Sequence, residues 1–159
     1  MITVTSNPEL DLVLDRYVEV PPALVWKCWT EPEHLMPWFC PAPWRTTECE
    51  IDLRPGGKFY TLMRGPNGES HAGTGCYLEV VPERRLTWTS ALGPDFRPNP
   101  EGPLCFTAVL TLEAKGNGTR YLVQALHRDP AGAKAHADMG FVEGWGKALE
   151  QLVAYAQGL

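Results

Sequence analysis

The segment from Pro130 to Gln157 constrains the fold more than any other stretch of the chain. At 100° per residue, Ala131, Ala135, Met139, Val142, Trp145, Leu149, Leu152, Val153 and Ala156 share an arc of roughly 140°. Glu143, Lys147, Glu150 and Gln151 fall outside it. Asp129-Pro130 supplies an N-cap followed by proline at the first helical position, and Gly158 offers a C-terminal cap. The spacing predicts one amphipathic helix roughly 40 Å long, which needs a broad apolar surface to lie on. Two residues interrupt the stripe. Gly146 leaves a gap in side-chain cover where backbone, a side chain or a ligand can approach. Asp138 places a carboxylate beside Met139 and Val142, where it requires a partner or solvent.

The rest of the chain supplies that surface as strands. Leu10 to Val20 alternates, with Leu12, Leu14, Val18 and Val20 on one side and Asp15, Tyr17 and Glu19 on the other. Pro21-Pro22 ends this strand and opens a short helix to Trp29; Glu31-Pro32 opens a second, ending near Met36-Pro37. Trp38 to Trp44 (WFCPAPW) is too proline-rich for regular structure. Strands follow at Thr46–Leu53, Lys58–Arg64, Ser70–Val81, Arg85–Ala91, Leu104–Ala114 and Thr119–His127. Between them stand the turns RPGG, GPNG, PER and KGNG. Gly73 and Gly75 suggest a bulge or bend. Leu92 to Pro103, rich in proline and glycine, is long for a compact connection, and such loops are often functional. Strand, two short helices, six strands and a long helix make an α+β fold with an antiparallel sheet curved around one helix.

At 159 residues, one domain spanning 1–159 is expected. A net charge of −5 argues against nucleic acid as the main partner. The five cysteines show no CxxC spacing, so a reducing, cytoplasmic setting is expected and a disulfide framework is not. No apolar run approaches membrane-spanning length, and nothing at the start reads as a signal peptide.

Several phrases carry a resemblance: VEVPPALVWKCWTEPEHLMPWF, DLRPGGKFY, GCYLEVVPERRLTWT and HRDPAGAKAHADMGFVEGWGKALEQL. From about Leu12 to Leu152 the chain resembles the SRPBCC superfamily, the helix-grip fold of START lipid-transfer domains and the birch pollen allergen. The branch it resembles is that of the activator of heat-shock-protein ATPase C-terminal domain. The resemblance implies a seven-stranded antiparallel sheet wrapped around the C-terminal helix, two short helices after strand 1, and an apolar cavity between. It carries over no catalytic motif. One departure is Val20, which stands where the family more often has a small hydroxyl residue, so the first helix is less well capped.

The candidate site residues follow from these placements. Trp38, Met63, Trp88, Phe106 and Trp145 are candidates to line a pocket; their alternative is plain core, because large aromatics fill both. His127 ends the last strand, where a neutral imidazole can bond a ligand, act as a general base, or simply hold nearby backbone. Asp138 is solvated at the sheet edge, paired with an inward Arg or Lys, or a polar anchor in the cavity. His136 falls on the outward side of the predicted helix. The scattered histidines predict no metal. RPGG lacks the Lys-Ser/Thr and following helix of a phosphate loop, and no cofactor is expected. The WFCPAPW segment and loop 92–103 are the candidate gates.

Three functions are compatible with these residues. The first is a carrier or sensor that holds a small hydrophobic molecule, lipid-like or otherwise, between the C-terminal helix and the sheet. The second is a polyketide cyclase/dehydratase-like enzyme using the same cavity, with His127 or Asp138 moving a proton. The third is a co-chaperone-like module that binds a protein through an exposed face. A homodimer is left open, and no membrane insertion is expected.

Overall fold

The structure, a computed structural model, describes residues 5–99 and 105–159. Seven antiparallel strands form one sheet in the order β1-β7-β6-β5-β4-β3-β2. They are β1 (Asp11–Val18), β2 (Arg45–Ile51), β3 (Lys58–Arg64), β4 (Ser70–Val81), β5 (Arg85–Thr89), β6 (Phe106–Lys115) and β7 (Gly118–His127). Two short helices, α1 (Pro22–Thr30) and α2 (Pro32–Leu35), follow β1. Every hairpin stands where the turn residues predicted one. Only β1 pairs out of sequence order, lying against β7 in unbroken register from Asp11 opposite Leu126 to Val18 opposite Thr119.

The chain strays from its pattern in two places. The register shifts lie between Tyr77 and Glu79 in β4 and between Thr46 and Glu48 in β2, not at Gly73 or Gly75. Both glycines pair regularly with β3. Gly75 answers a different need: a Cβ there would stand 2.6 Å from the carbonyl oxygen of Thr89. The bulges strengthen the local twist and bend the sheet.

The larger correction concerns the final helix, which is two. Helix α3 (Pro130–Asp138) and helix α4 (Phe141–Gln157) are separated by Met139 and Gly140. Gly140 has φ +86°, a conformation that L side chains rarely adopt and glycine takes freely. The start of α3 is as expected, with Pro130 in its first turn and Asp129 accepting a 2.7 Å hydrogen bond from the Gly132 N–H. A break rotates everything before it relative to the stripe after it. Met139 is therefore 71% exposed, while His136 is buried. Helix α4 keeps a stripe of its own: Phe141, Leu149, Leu152 and Ala156 are buried, with Trp145 and Val153 half-buried between them.

That stripe shares one core with Leu14 and Val18 of β1, Val25, Cys28 and Trp29 of α1, and the inward residues of β5 to β7. Helix α1 starts without a side-chain cap, as expected, but the residue at its cap position is Pro21 rather than Val20. The WFCPAPW segment is fastened to α4 by Gln151. Its amide donates to the carbonyls of Trp38 (3.0 Å) and Cys40 (2.8 Å), and its oxygen accepts from the Ala42 N–H (2.9 Å). Loop residues 92–99 are also tied down: the Asn99 amide donates to the carbonyls of Thr74 and Ser90, each at 3.0 Å. Residues 100–103 of that loop lie outside the described residues.

Candidate functional site

Five of the seven expected site residues come together under α4. The Trp29 ring meets Trp38 at 5.0 Å between centroids and Trp145 at 6.4 Å. Trp145 meets Phe106 at 6.3 Å, and Phe106 meets Trp88 at 5.5 Å and His127 at 6.0 Å. The contacts link Trp38, Trp88, Phe106, His127 and Trp145, with Trp29, into one aromatic wall. Met63 is half-buried at the margin, paired in register with Thr46 and His71. Asp138 lies outside altogether. It is exposed and accepts a 2.6 Å hydrogen bond from the Lys134 ammonium four residues earlier. The solvated alternative is the one realised: Lys134 is itself exposed rather than inward, and the break at Gly140 turns Asp138 away from the core. The premise of a carboxylate on an apolar stripe is thereby corrected.

Two polar atoms in this interior have no hydrogen-bond partner among the described residues: the Tyr77 hydroxyl and the Trp88 indole N–H. Tyr77 pairs with Trp88 across β4 and β5, and both rings contact Phe59. Burial pushes the Tyr77 phenol well above its ordinary range, so it stays a neutral donor. Leaving a buried donor unmatched costs about 1–3 kcal/mol. Tyr121, by contrast, accepts a 3.1 Å hydrogen bond from the Trp29 indole. A matched pair of variants follows. Tyr77→Phe is expected to leave stability unchanged or raise it by about 1 kcal/mol, whereas Tyr121→Phe lowers it by about 1–3 kcal/mol by stranding the Trp29 N–H. Urea unfolding of both checks this, and a Tyr77→Phe loss above that of Tyr121→Phe would refute it.

A cleft of about 730 Å³ runs between α4 and edge strand β1. Its apolar surface is Val18, Val142, Leu149 and Val153, and charges at its rim include Arg16, Lys147 and Glu150. Gly146 stands in the middle, and a Cβ added there would meet nothing within 4 Å. The gap in side-chain cover expected at Gly146 is real, and it opens here. None of the seven expected site residues lines this cleft. Periodicity located the gap but could not say which strand would face it.

The second arrangement that sequence reasoning missed involves His136. His127 is buried at the end of β7. Its Nδ1 lies 2.8 Å from the Leu10 carbonyl, and its Nε2 lies 2.8 Å from Nδ1 of His136. A carbonyl only accepts, so His127 Nδ1 carries the proton and its Nε2 is the acceptor. With both rings neutral, His136 must then donate through Nδ1. Burial, with His127 beside it, holds the His136 pKa down at about 4. Phe106 and Phe141 flank the His136 ring at 4.7 and 5.1 Å. The signal that could have placed this residue is Gly140. Glycine after a last turn containing a histidine is a helix stop.

Glu31, Glu33 and His34 gather at the corner of α1 and α2, with His34 Nε2 4.0 Å from Glu31 and its Nδ1 2.7 Å from the Tyr155 hydroxyl. The RPGG phrase is a turn between β2 and β3, as expected, with Gly56 at φ +82° and its N–H donating to the Tyr77 carbonyl. Among the described residues no helix is long and apolar enough to cross a membrane.

Comparison with known proteins agrees with this architecture. A protein of Nitrosomonas europaea of known crystal structure is 47% identical, with a TM-score of 0.92 over 96% of this chain and 97% of that one. A Mycobacterium smegmatis protein is 28% identical, with a TM-score of 0.77 over 92% and 90%. An AHSA1-like protein from Aeromonas hydrophila, 18% identical, shares the fold at a TM-score of 0.68 over 94% and 93%. No curated protein matches the chain. The family described as Activator of Hsp90 ATPase homolog 1-like protein matches residues 19–157. The chain therefore belongs to that family, and with it to the SRPBCC helix-grip superfamily.

Proposed function

We propose that the protein is a carrier or sensor that binds a small molecule with an apolar body in the seam between α4 and β1. The observation that carries this reading is the cleft of about 730 Å³ over Gly146. Its size lies within the roughly 300–1,000 Å³ typical of ligand sites. Its apolar surface would supply affinity at roughly 25 cal/mol per Å² covered. The rim charges, Arg16 and Lys147 among them, would orient one polar end of the ligand. Val142, an exposed apolar side chain, belongs to this surface and would be covered by an occupant.

Gly146 provides the test. It sits within α4, where glycine costs about 0.5–1 kcal/mol relative to alanine. Gly146→Ala is therefore expected to raise the thermal midpoint by about 1–4 °C. Gly146→Leu is expected to keep the fold while filling the cleft, weakening binding of the apolar dye 8-anilinonaphthalene-1-sulfonate at least tenfold. Native mass spectrometry of the wild-type protein is expected to retain an apolar small molecule that the leucine variant lacks. A folded leucine variant that binds dye like wild type would remove the proposal. So would a ligand-free protein that instead binds an Hsp90-type ATPase; that outcome would favour the co-chaperone reading. Turnover of a polyketide-like substrate, lost in His127→Ala, would favour the cyclase reading instead.

A further inference from the structure

The inward face of β1 carries one charged side chain. Leu14 and Val18 on that face are buried in the core, and Arg16 stands between them, in register with the buried Tyr121 of β7. Alternation places Arg16 on the core side of the strand, yet it is exposed. It lines the same cleft as Gly146, which brings no side chain to cover a neighbour. A cation on the core side of a strand needs a counter-charge or solvent. Arg16 donates to the Asp15 carbonyl at 3.2 Å, a neutral acceptor that meets only part of the guanidinium's donor fork. The Asp15 carboxylate itself accepts from Arg120 through both oxygens, at 2.8 and 3.1 Å. Among the described residues no carboxylate forms an ion pair with Arg16.

The other charges of the cleft have placements of their own. Lys147 and Glu150 face each other at 4.0 Å. Glu143 carries its carboxylate back towards Gly140, where a Cβ would stand 3.7 Å from it. That is the start of α4, the end where the helix dipole favours negative charge. Glu19 follows the buried Val18 and precedes the buried Val20, so alternation turns it from the face that holds Arg16.

We propose that Arg16 is the head-group anchor of the Gly146 cleft and that the occupant is an amphiphile with an apolar chain and a single carboxylate. This rests on the carrier reading and names its ligand class. The guanidinium fork matches a planar carboxylate with two parallel hydrogen bonds. The chain then lies along Val18, Val142, Leu149 and Val153. An ammonium head would meet Arg16 as a like charge, and a doubly charged phosphate head would meet stronger repulsion from the rim glutamates than a carboxylate does.

Decanoate, decan-1-ol, decylamine and decyl phosphate share one chain and differ in the head. Isothermal titration calorimetry at pH 7, where the carboxylate is ionised, compares them. Ionised decanoate is better hydrated than the alcohol, so apolar surface alone would prefer decan-1-ol. Decanoate is instead expected to bind the wild-type protein at least threefold more tightly than each of the other three. Arg16→Met keeps an apolar stem and is expected to remove the preference. Lys58→Met takes the same charge from β3, away from the cleft lining, and is expected to leave it. Gly146→Leu is expected to weaken decanoate and decan-1-ol alike. A smaller preference for decanoate, or tighter binding of any of the other three, would overturn this proposal and leave the carrier reading standing. A preference kept in Arg16→Met, or decanoate binding kept in Gly146→Leu, would overturn it too. Binding of none of the four to the wild-type protein would remove both readings. The wild-type comparison decides the matter even if a variant fails to fold.

Discussion

Replacing Trp29 by alanine is expected to cost about 3–5 kcal/mol, the usual range for deleting a buried tryptophan or phenylalanine. Trp29 is 1% exposed and touches the rings of Trp38, Phe39 and Trp145. It therefore ties α1, the WFCPAPW segment and α4 together. Its indole also donates to the buried Tyr121 hydroxyl, which would be stranded in the variant. Domains of this kind are stable by about 5–15 kcal/mol, so the loss removes a large share of the total. At about 2–4 °C per kcal/mol for a chain of this size, the midpoint falls by roughly 6–20 °C. Calorimetry measures it directly. A drop under 3 °C would show that the aromatic wall is not the keystone argued here. Trp29→Phe should fall between, because it keeps most of the ring contacts and loses the hydrogen bond.

Acid is expected to destabilise the protein through His136, over a window set by its shift. Its pKa is about 4 in the fold, against about 6.5 in the unfolded chain. Above pH 6.5 both states are neutral at this group and the full stability is present. As pH falls from 6.5 towards 4, the unfolded chain takes up a proton that the folded chain refuses. Stability then drops by at most about 1.4 kcal/mol per pH unit, on the order of 3 kcal/mol over the window. Below pH 4 this group contributes no further slope. Asp15 acts in a lower window. Hydrogen bonding to Arg120 lowers its pKa, so its contribution is lost only as pH falls through the carboxylate range. The groups facing His136 are His127 and the rings of Phe106 and Phe141. Urea unfolding at pH 7, 5.5 and 4.5 reads the slope, and His136→Phe should flatten most of it. An unchanged slope in that variant would assign the acid sensitivity elsewhere.

These effects trace to features of different legibility. The strands were plain because alternation is a local property: Lys58–Arg64 and Ser70–Val81 start and end as their turn residues dictate. The Asp129 cap and the gap at Gly146 were readable for the same reason. The aromatics were readable as a group, yet their contacts were not. Nothing local to Trp145 says that it lies between Trp29 and Phe106. Five of the seven expected site residues belong to the wall, and none of the seven lines the cleft.

What the sequence by itself determined is the seven strands, their antiparallel pairing through hairpins and the presence of amphipathic helix at the C-terminal end. What only the tertiary structure decided is phase. A helical wheel carries its phase only through an unbroken helix, and Gly140 at φ +86° resets it. That one residue sends Asp138 to solvent with Lys134 and brings His136 against His127. It also leaves α4 to face β1 across Gly146. Such a reset depends on where the two helix segments find apolar cover, and that is settled by packing rather than by the order of residues.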